Sequence, residues 1–235
     1  MKKIIIAFVG LFMLNSCAEL QQVVNQLPQG GTLGNADIAA GLRQALDFGI
    51  DKQVQKLTLK DGFYGNSLVK ILMPEELRKV DKALRDIGLS SLADDGIKLL
   101  NRAAEDAVKE ATPIFVNAVK DITFADAKNI LLGNNDAATQ YLQGKTNTAL
   151  YGKFQPVIQN SFAKVGADKI WTDLINRYNK IPFVNQVNPD LTDYVTTEAL
   201  KGVYTMIAVE EAEIRTKVGS RTTALLQKVF ALQDK

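Results

Sequence analysis

Two adjacent glutamates near the C-terminus, Glu210 and Glu211, are the residues of this chain best suited to acid–base chemistry. Two carboxyl groups that share one cleft can act as general acid and base, as in the hydrolysis of glycosides. Arg215 and Arg221 follow closely and offer a structural alternative, because a glutamate on the apolar side of a helix needs a buried partner. Glu211 and Arg215 have the i, i+4 spacing of a helical ion pair, and Arg221 could reach Glu210. We favour the structural interpretation of all four residues.

The residue types that the chain lacks exclude several kinds of active site. It contains no histidine and a single cysteine, Cys17. Ser-His-Asp and Cys-His nucleophilic systems, His-containing zinc sites and His-ligated haem are therefore ruled out. Carboxylate chemistry, a Ser-Lys pair, an oxygen-ligated cation or no catalysis remain. We expect no cofactor, and no disulfide can form within the chain.

Oxygen-bearing side chains are dense between Asp121 and Asp136, where a hard cation could find ligands. Asp126 and Asp136 are the metal-ligand candidates of this stretch. Its spacing lacks the alternating ligands and the terminal glutamate of an EF-hand loop. Asp and Asn are also preferred residues at helix N-termini, so helix capping is the favoured interpretation.

Two further stretches offer contacts for a ligand. Phe63 and Tyr64 lie between glycines, where they could stack on a ligand or line the mouth of an apolar cavity, or one of them could fill the core from a turn. Arg102 and Glu105 are i, i+3 neighbours, which predicts a solvated helix surface. The ligand-binding candidates are therefore Phe63, Tyr64, Arg102, Arg215 and Arg221.

The N-terminus resembles a bacterial lipoprotein signal. Lys2 and Lys3 precede an apolar run from Ile4 to Leu14, which is too short to span a bilayer comfortably. Leu14-Asn15-Ser16-Cys17 then has the order of a lipobox, in which cleavage leaves the cysteine as the first mature residue. Several acyl chains, palmitate among them, would attach Cys17 stably to a membrane. We predict a lipoprotein of the cell envelope, on the outer membrane and facing the periplasm; an ordinary secretory signal is the alternative.

Charge argues against two classes of partner. Without residues 1–16, which include two lysines and no acid, the 28 basic residues fall to 26 and equal the 26 acidic ones. A neutral chain lacks the basic excess that nucleic-acid binding requires. It also lacks a polybasic membrane patch, so the N-terminal lipid is the expected membrane contact.

Helix signals dominate the rest of the sequence. Residues 17–35 are rich in Gln and Gly and predict a lipidated, flexible tether. Residues 36–235 predict a single all-α domain, an irregular multi-helix bundle with one long C-terminal helix over about 190–217. A small hairpin between Leu57 and Met73 is the main alternative to helix, and Trp171 is the expected core residue of the second half.

Particular residues predict where helices begin and end. The first helix should end near Gly49. Pro156 should begin a helix, because proline suits the first helical turn. Asp190 and Ser220 should cap the last two helices.

Several of these stretches together resemble a bacterial family of secreted or lipid-anchored proteins, domain of unknown function family 4197. The resemblance covers about residue 38 to the C-terminus and implies an all-helical, periplasm-side domain with no established activity. The residues that carry it are Gly41-Leu42 with Ala45-Leu46, Asp61-Gly62-Phe63, Asn101-Arg102-Ala103-Ala104-Glu105, Thr123 to Leu132, Asp136 to Thr139, Asp190 to Ala199, and Glu210-Glu211 through Ile214-Arg215 to Arg221-Thr222-Thr223.

The leading hypothesis is a non-enzymatic helical lipoprotein that binds or scaffolds an envelope protein or a small ligand. One alternative is a carboxylate-dependent hydrolase of an envelope glycan that uses Glu210 or Glu211. Another is a carrier of an apolar ligand in a cavity among the helices.

Overall fold

The computed structural model describes residues 34–86, 88, 90–164 and 190–234, together with 172, 175, 176, 179, 180, 182, 183 and 186. Over these residues the chain is helical and forms no strand, which confirms the all-α class. The predicted signal peptide, Cys17, the tether up to residue 33 and Trp171 lie outside them. The helices are α1 (Asn35–Thr58), α2 (Arg78–Asp86), α3 (Ser90–Val108), α4 (Ala111–Lys120), α5 (Phe124–Leu131), α6 (Ala137–Lys164), α7 (Thr192–Thr216) and α8 (Ala224–Phe230).

Helix α7 lies at the centre of the bundle. It packs against α1, α3 and α6, while α1 also packs against α4, α5 and α8. Val195, Ala199, Val203 and Ile207 are all buried along α7. Their spacing of four residues aligns them on one side of the helix, so this side joins the common core. Within the described part of the chain, no helix is long and apolar enough to cross a membrane.

Two predicted helix ends are wrong, and close packing explains both. Helix α1 continues past Gly49 to Thr58, because Gly49 packs against α7: a Cβ there would lie 3.3 Å from Cγ of Glu210. Pro156 lies inside α6 rather than at its start. Phe154 and Ile158 on either side of it are buried. This burial keeps the helix continuous although proline removes one backbone hydrogen bond.

The predicted caps of the last two helices are displaced by a few residues. Leu191 immediately precedes α7, and Asp190 accepts a hydrogen bond from the Thr192 backbone N–H at 2.8 Å. Ser220 belongs to the short 3-10 turn Val218–Ser220, and Thr223 caps α8 instead. The long helix predicted over 190–217 therefore exists with slightly shorter bounds.

The connection between α1 and the short 3-10 helix Glu75–Leu77 consists of turns and extended backbone, not the hairpin considered above. Asp61 in this connection has a φ of 68°. This left-handed conformation is one that Asp tolerates better than most residues. The turn brings Phe63 into the core next to α7, where a Cβ on Gly202 would lie 2.7 Å from Cε1 of Phe63.

Gly202→Ala should destabilise the protein by about 1–3 kcal/mol, because the added methyl overlaps buried Phe63. Gly144→Ala is the matched control, since Gly144 is also within a helix but has nothing within 4 Å of the new Cβ. That substitution should stabilise by about 0.5–1 kcal/mol through helix propensity alone. Urea unfolding of both variants measures the difference, and equal effects would contradict the close approach of α7 to Phe63.

Candidate functional site

Glu211 and Arg215 form a buried ion pair that joins three helices. Arg215 donates from Nη2 to Oε1 of Glu211 at 2.7 Å, and both side chains are less than one-tenth exposed. Glu211 also accepts the backbone N–H groups of Ala138 and Thr139, both at 2.8 Å, at the N-terminus of α6. Arg215 donates to the carbonyls of Ile130 and Leu131 at the C-terminus of α5.

This arrangement places each charge where a helix end stabilises it. The carboxylate binds unpaired N–H groups at the positive end of α6, and the guanidinium binds unpaired carbonyls at the negative end of α5. The pair therefore fixes the α5–α6 connection onto α7. The i, i+4 spacing in the sequence predicted the pairing of Glu211 with Arg215 but not the burial of the pair.

Glu210 has different partners from those predicted. Its carboxylate accepts hydrogen bonds from Lys52 at 2.6 Å and from the Gln53 side chain at 2.5 Å, both on α1. Arg221 does not contact it. Adjacent residues on a helix point about 100° apart, so Glu210 meets α1 while Glu211 meets α6.

The two glutamates border one internal cavity of about 20 Å³. This volume holds about one water molecule. Each carboxylate is bound by its own set of donors, and the cavity that the described residues form beside them is too small for a glycan. The geometry favours the structural interpretation of Glu210 and Glu211.

Arg221 stabilises the C-terminal end of the chain. It donates to the carbonyls of Ile214 and Arg215 at the end of α7 and forms an ion pair with Asp234 at 2.6 Å. The guanidinium lowers the pKa of the Asp234 carboxyl below its ordinary value. The buried Arg221 thus satisfies carbonyls that α7 leaves without partners.

The predicted solvated surface at Arg102 and Glu105 is wrong for Glu105, which is buried, whereas Arg102 is partly exposed. Glu105 accepts the backbone N–H of Phe63 at 3.1 Å, and Arg102 joins Glu105 to Asp61. The carboxylate therefore closes the turn that holds Phe63 in the core. Phe63 is fully buried and has no access to a ligand.

Tyr64 takes a different position from Phe63 and is only half-buried. The ammonium group of Lys70 lies 3.9 Å from the centre of its ring. This cation–π contact covers one side of the ring. Ligand binding by Tyr64, Arg102, Arg215 or Arg221 stays a prediction.

The metal-ligand candidates are engaged in local hydrogen bonds. Asp126 and Thr123 form a reciprocal capping box at the start of α5, and Asp136 accepts from the Gln140 side chain. The Thr123 contacts lower the pKa of Asp126. Over the residues that the structure describes, no group of three acidic, cysteine or histidine side chains is placed to hold a metal ion.

An open cleft lies between α4, the start of α5 and α6, and we call it the α4–α6 cleft. Its volume is about 430 Å³, within the range typical of small-molecule sites. The wall is partly apolar and partly charged. It is lined by Ile114, Asn117, Ala118, Asp121, Thr123, Asp126, Tyr141, Lys145, Thr146 and Ala149.

Four polar residues of this cleft, Asn117, Asp121, Tyr141 and Lys145, contribute little to holding the bundle together. Among the described residues, none of their side chains makes a hydrogen bond or ion pair; Lys145 lies over the Tyr141 ring, 5.6 Å from its centre. Burial, Asp126 and Asp121 raise the pKa of the Tyr141 phenol, which keeps it protonated. This grouping was not predicted from the sequence. Asn117 on α4 and Asp121 just after it have i, i+4 spacing, as do Tyr141 and Lys145 on α6, and only the packing of the two helices brings the pairs together.

Comparison with known proteins identifies the family. The family model described as "Protein of unknown function (DUF4197)" matches residues 32–231. The chain belongs to the DUF4197 family. No curated protein and no solved structure matches it. The resemblance stated from the sequence is thus confirmed, and the DUF4197 match extends over nearly all of the described residues.

The stretches that carry the DUF4197 resemblance contain most of the buried polar side chains among the described residues, with Gln53 and Thr146 as exceptions. Asn101 shows the pattern: its side chain accepts from the Ile71 N–H and donates to the Ile71 carbonyl, both at 2.8 Å. Such residues hold a loop or a helix end in place. They account for the fold and leave the α4–α6 cleft as the candidate functional site.

Glu211→Gln should destabilise the protein by about 3–5 kcal/mol, because it leaves Arg215 buried without a counter-charge. Glu213→Gln is the matched control, since Glu213 forms an exposed i, i+4 pair with Lys217. The control should change stability little. Chemical unfolding measures both variants, and a Glu211→Gln protein as stable as the control would contradict a structural role for the buried pair.

Proposed function

We propose that this DUF4197 protein is a lipid-anchored binding protein of the cell envelope and that the α4–α6 cleft holds its ligand. The observation that carries the proposal is the cleft of about 430 Å³, in which the side chains of Asn117, Asp121, Tyr141 and Lys145 make no hydrogen bond or ion pair among the described residues. Sites for small molecules combine an apolar wall with a few converging polar groups. Ile114, Ala118 and Ala149 supply the wall, and Asp121 and Lys145 supply charges.

The N-terminal sequence supports the location. The lipobox-like Leu14-Asn15-Ser16-Cys17 would place acyl chains on Cys17 and hold the domain at the periplasmic side of the outer membrane. A formally neutral mature chain adds no polybasic membrane contact. In this arrangement the lipid determines where the domain is, and the cleft determines what it binds.

The two alternative functions receive less support. A carboxylate hydrolase would use Glu210 or Glu211, yet both are bound to partners that fix helices. A carrier of apolar ligands would need a large apolar cavity, whereas the cavity beside these glutamates has a volume of about 20 Å³. The large cleft has charged walls, which suit a polar ligand better.

Replacing the predicted acylated residue tests the membrane attachment. In cells, Cys17→Ser should move the protein from the membrane fraction to the soluble periplasmic fraction, because serine cannot form the thioether to the lipid. Ala18→Ser, one residue beyond the predicted acylated cysteine, should leave it in the membrane fraction. Fractionation with immunoblotting measures both and shows from the size of the band whether the signal peptide has been cleaved. A cleaved Cys17→Ser protein that stays in the membranes would contradict the lipoprotein proposal.

Filling the cleft tests the binding function. Full-length protein from membranes is dialysed to equilibrium against periplasmic extract, and mass spectrometry compares the metabolites on the two sides. We expect at least one metabolite to be enriched with the wild type and lost with Ala149→Trp, since Ala149 lines the cleft and is exposed.

Thr148→Trp is the matched control, because Thr148 is exposed on the same helix and does not line the cleft. It should retain the enrichment. No enriched metabolite with the wild type, or enrichment that survives Ala149→Trp, would show that the cleft is not the binding site.

A further inference from the structure

The charges of the α4–α6 cleft indicate what kind of ligand it takes. Resting on the proposed function, we propose that the cleft binds a small ligand through a protonated amine, which Asp121 receives as its counter-ion. The ligand is a small ammonium compound with a short stem, because the cleft volume of about 430 Å³ suits a small molecule.

The first step is the charge balance of the cleft. Asp121, Asp126 and Lys145 line it, so two carboxylates face one ammonium group. The Thr123 hydrogen bonds and, to a smaller extent, Lys145 lower the pKa of Asp126, which keeps that carboxyl ionised. The three charged residues of the cleft therefore sum to one negative charge, and Asp121 is the carboxylate without a hydrogen bond or ion pair among the described residues.

Two basic residues beside the end of α4 have other partners. Burial raises the pKa of the Asp47 carboxyl on α1, and Lys120, the neighbour of Asp121 in sequence, partly offsets that effect. Arg43 donates to the Ile122 carbonyl, also on the α1 side. Among the described residues, no basic side chain forms an ion pair with Asp121.

The surroundings of Asp121 favour a cation over an anion. Asp121 follows the last residue of α4, where the helix presents its partial negative charge. Asn117 lies one turn earlier on the same side and offers an amide oxygen. Tyr141 faces the cleft from α6, and its raised pKa keeps the phenol as a neutral hydrogen-bonding group.

The remaining wall suits the stem of such a ligand. Ile114, Ala118 and Ala149 are apolar and small enough to leave room between α4 and α6. A short methylene stem can lie against them while the ammonium group reaches Asp121. Lys145, whose ammonium group lies 5.6 Å from the centre of the Tyr141 ring, disfavours a second cation in the cleft and selects a ligand with a single positive charge.

Three probes of equal length test the proposal with the full-length protein. They are 4-aminobutan-1-ol, butane-1,4-diol and 4-hydroxybutanoate, which differ only in whether one end is cationic, neutral or anionic. Isothermal titration should show binding of the amine, with the diol and the carboxylate at least tenfold weaker. Equal binding of the three probes, or tighter binding of the carboxylate, would overturn the proposal.

Two variants with opposite expected effects assign the binding to Asp121. Asp121→Asn should weaken amine binding at least tenfold, because the counter-ion is lost. Lys145→Met should tighten it several-fold, because a competing cation is removed. Asp51→Asn, an exposed change on α1 outside the cleft, should leave binding unchanged. Unchanged binding in Asp121→Asn would contradict the assignment.

The dialysis and titration experiments together distinguish failure of the ammonium-ligand proposal from failure of the proposed binding function. If dialysis finds an anionic or neutral metabolite that Ala149→Trp excludes, the cleft is a binding site and the ammonium class is wrong. If Ala149→Trp excludes nothing and the amine does not bind, both proposals fail.

Discussion

The buried pair of Glu211 and Arg215 is the interaction on which the rest of the bundle depends. It binds the negative end of α5 and the positive end of α6 to the central helix α7 with hydrogen bonds of about 3 Å. Burial of two charges is favourable only when their remaining hydrogen-bonding groups are satisfied. Here the helix ends provide those partners, so the fold and the ion pair stabilise one another.

The same principle recurs where other elements meet. Arg221 binds the last carbonyls of α7, Glu105 binds the turn that carries Phe63, and Asn101 binds both backbone groups of Ile71. A chain with no intrachain disulfide and with several short connections uses buried polar side chains to fix them. In the sequence these residues look like candidates for catalysis. In the structure their polar groups form hydrogen bonds with helix ends and turns instead.

Periodicity in the sequence was sufficient to predict the all-α class of the fold. It predicted fewer of the helix ends and of the partners of buried side chains. The helical spacing of α7 and the Thr123 capping box are visible without a structure. Gly49 and Pro156 led to wrong predictions of a helix end and a helix start. A glycine inside a helix can permit close contact with another helix, and a proline inside a helix can be tolerated when burial on both sides outweighs one lost hydrogen bond. The partners of Glu210 and Glu105 depend on contacts between residues far apart in sequence, which periodicity does not report.

The α4–α6 cleft illustrates the same limit and links the site to the fold. Its two walls repeat polar residues at i, i+4, a pattern ordinary for any exposed helix, and acquire meaning only because α4 packs directly against α6 with the start of α5 beside them. The position of α5 relative to α6 is in turn fixed by Arg215 and Glu211 from the opposite side. A ligand that contacts both α4 and α6 would stabilise this arrangement further, because any molecule that binds only the folded state shifts the folding equilibrium toward it. The buried pair thus helps to fix the helices around the cleft, so residues with the chemistry of acid–base catalysis have a structural role in this fold.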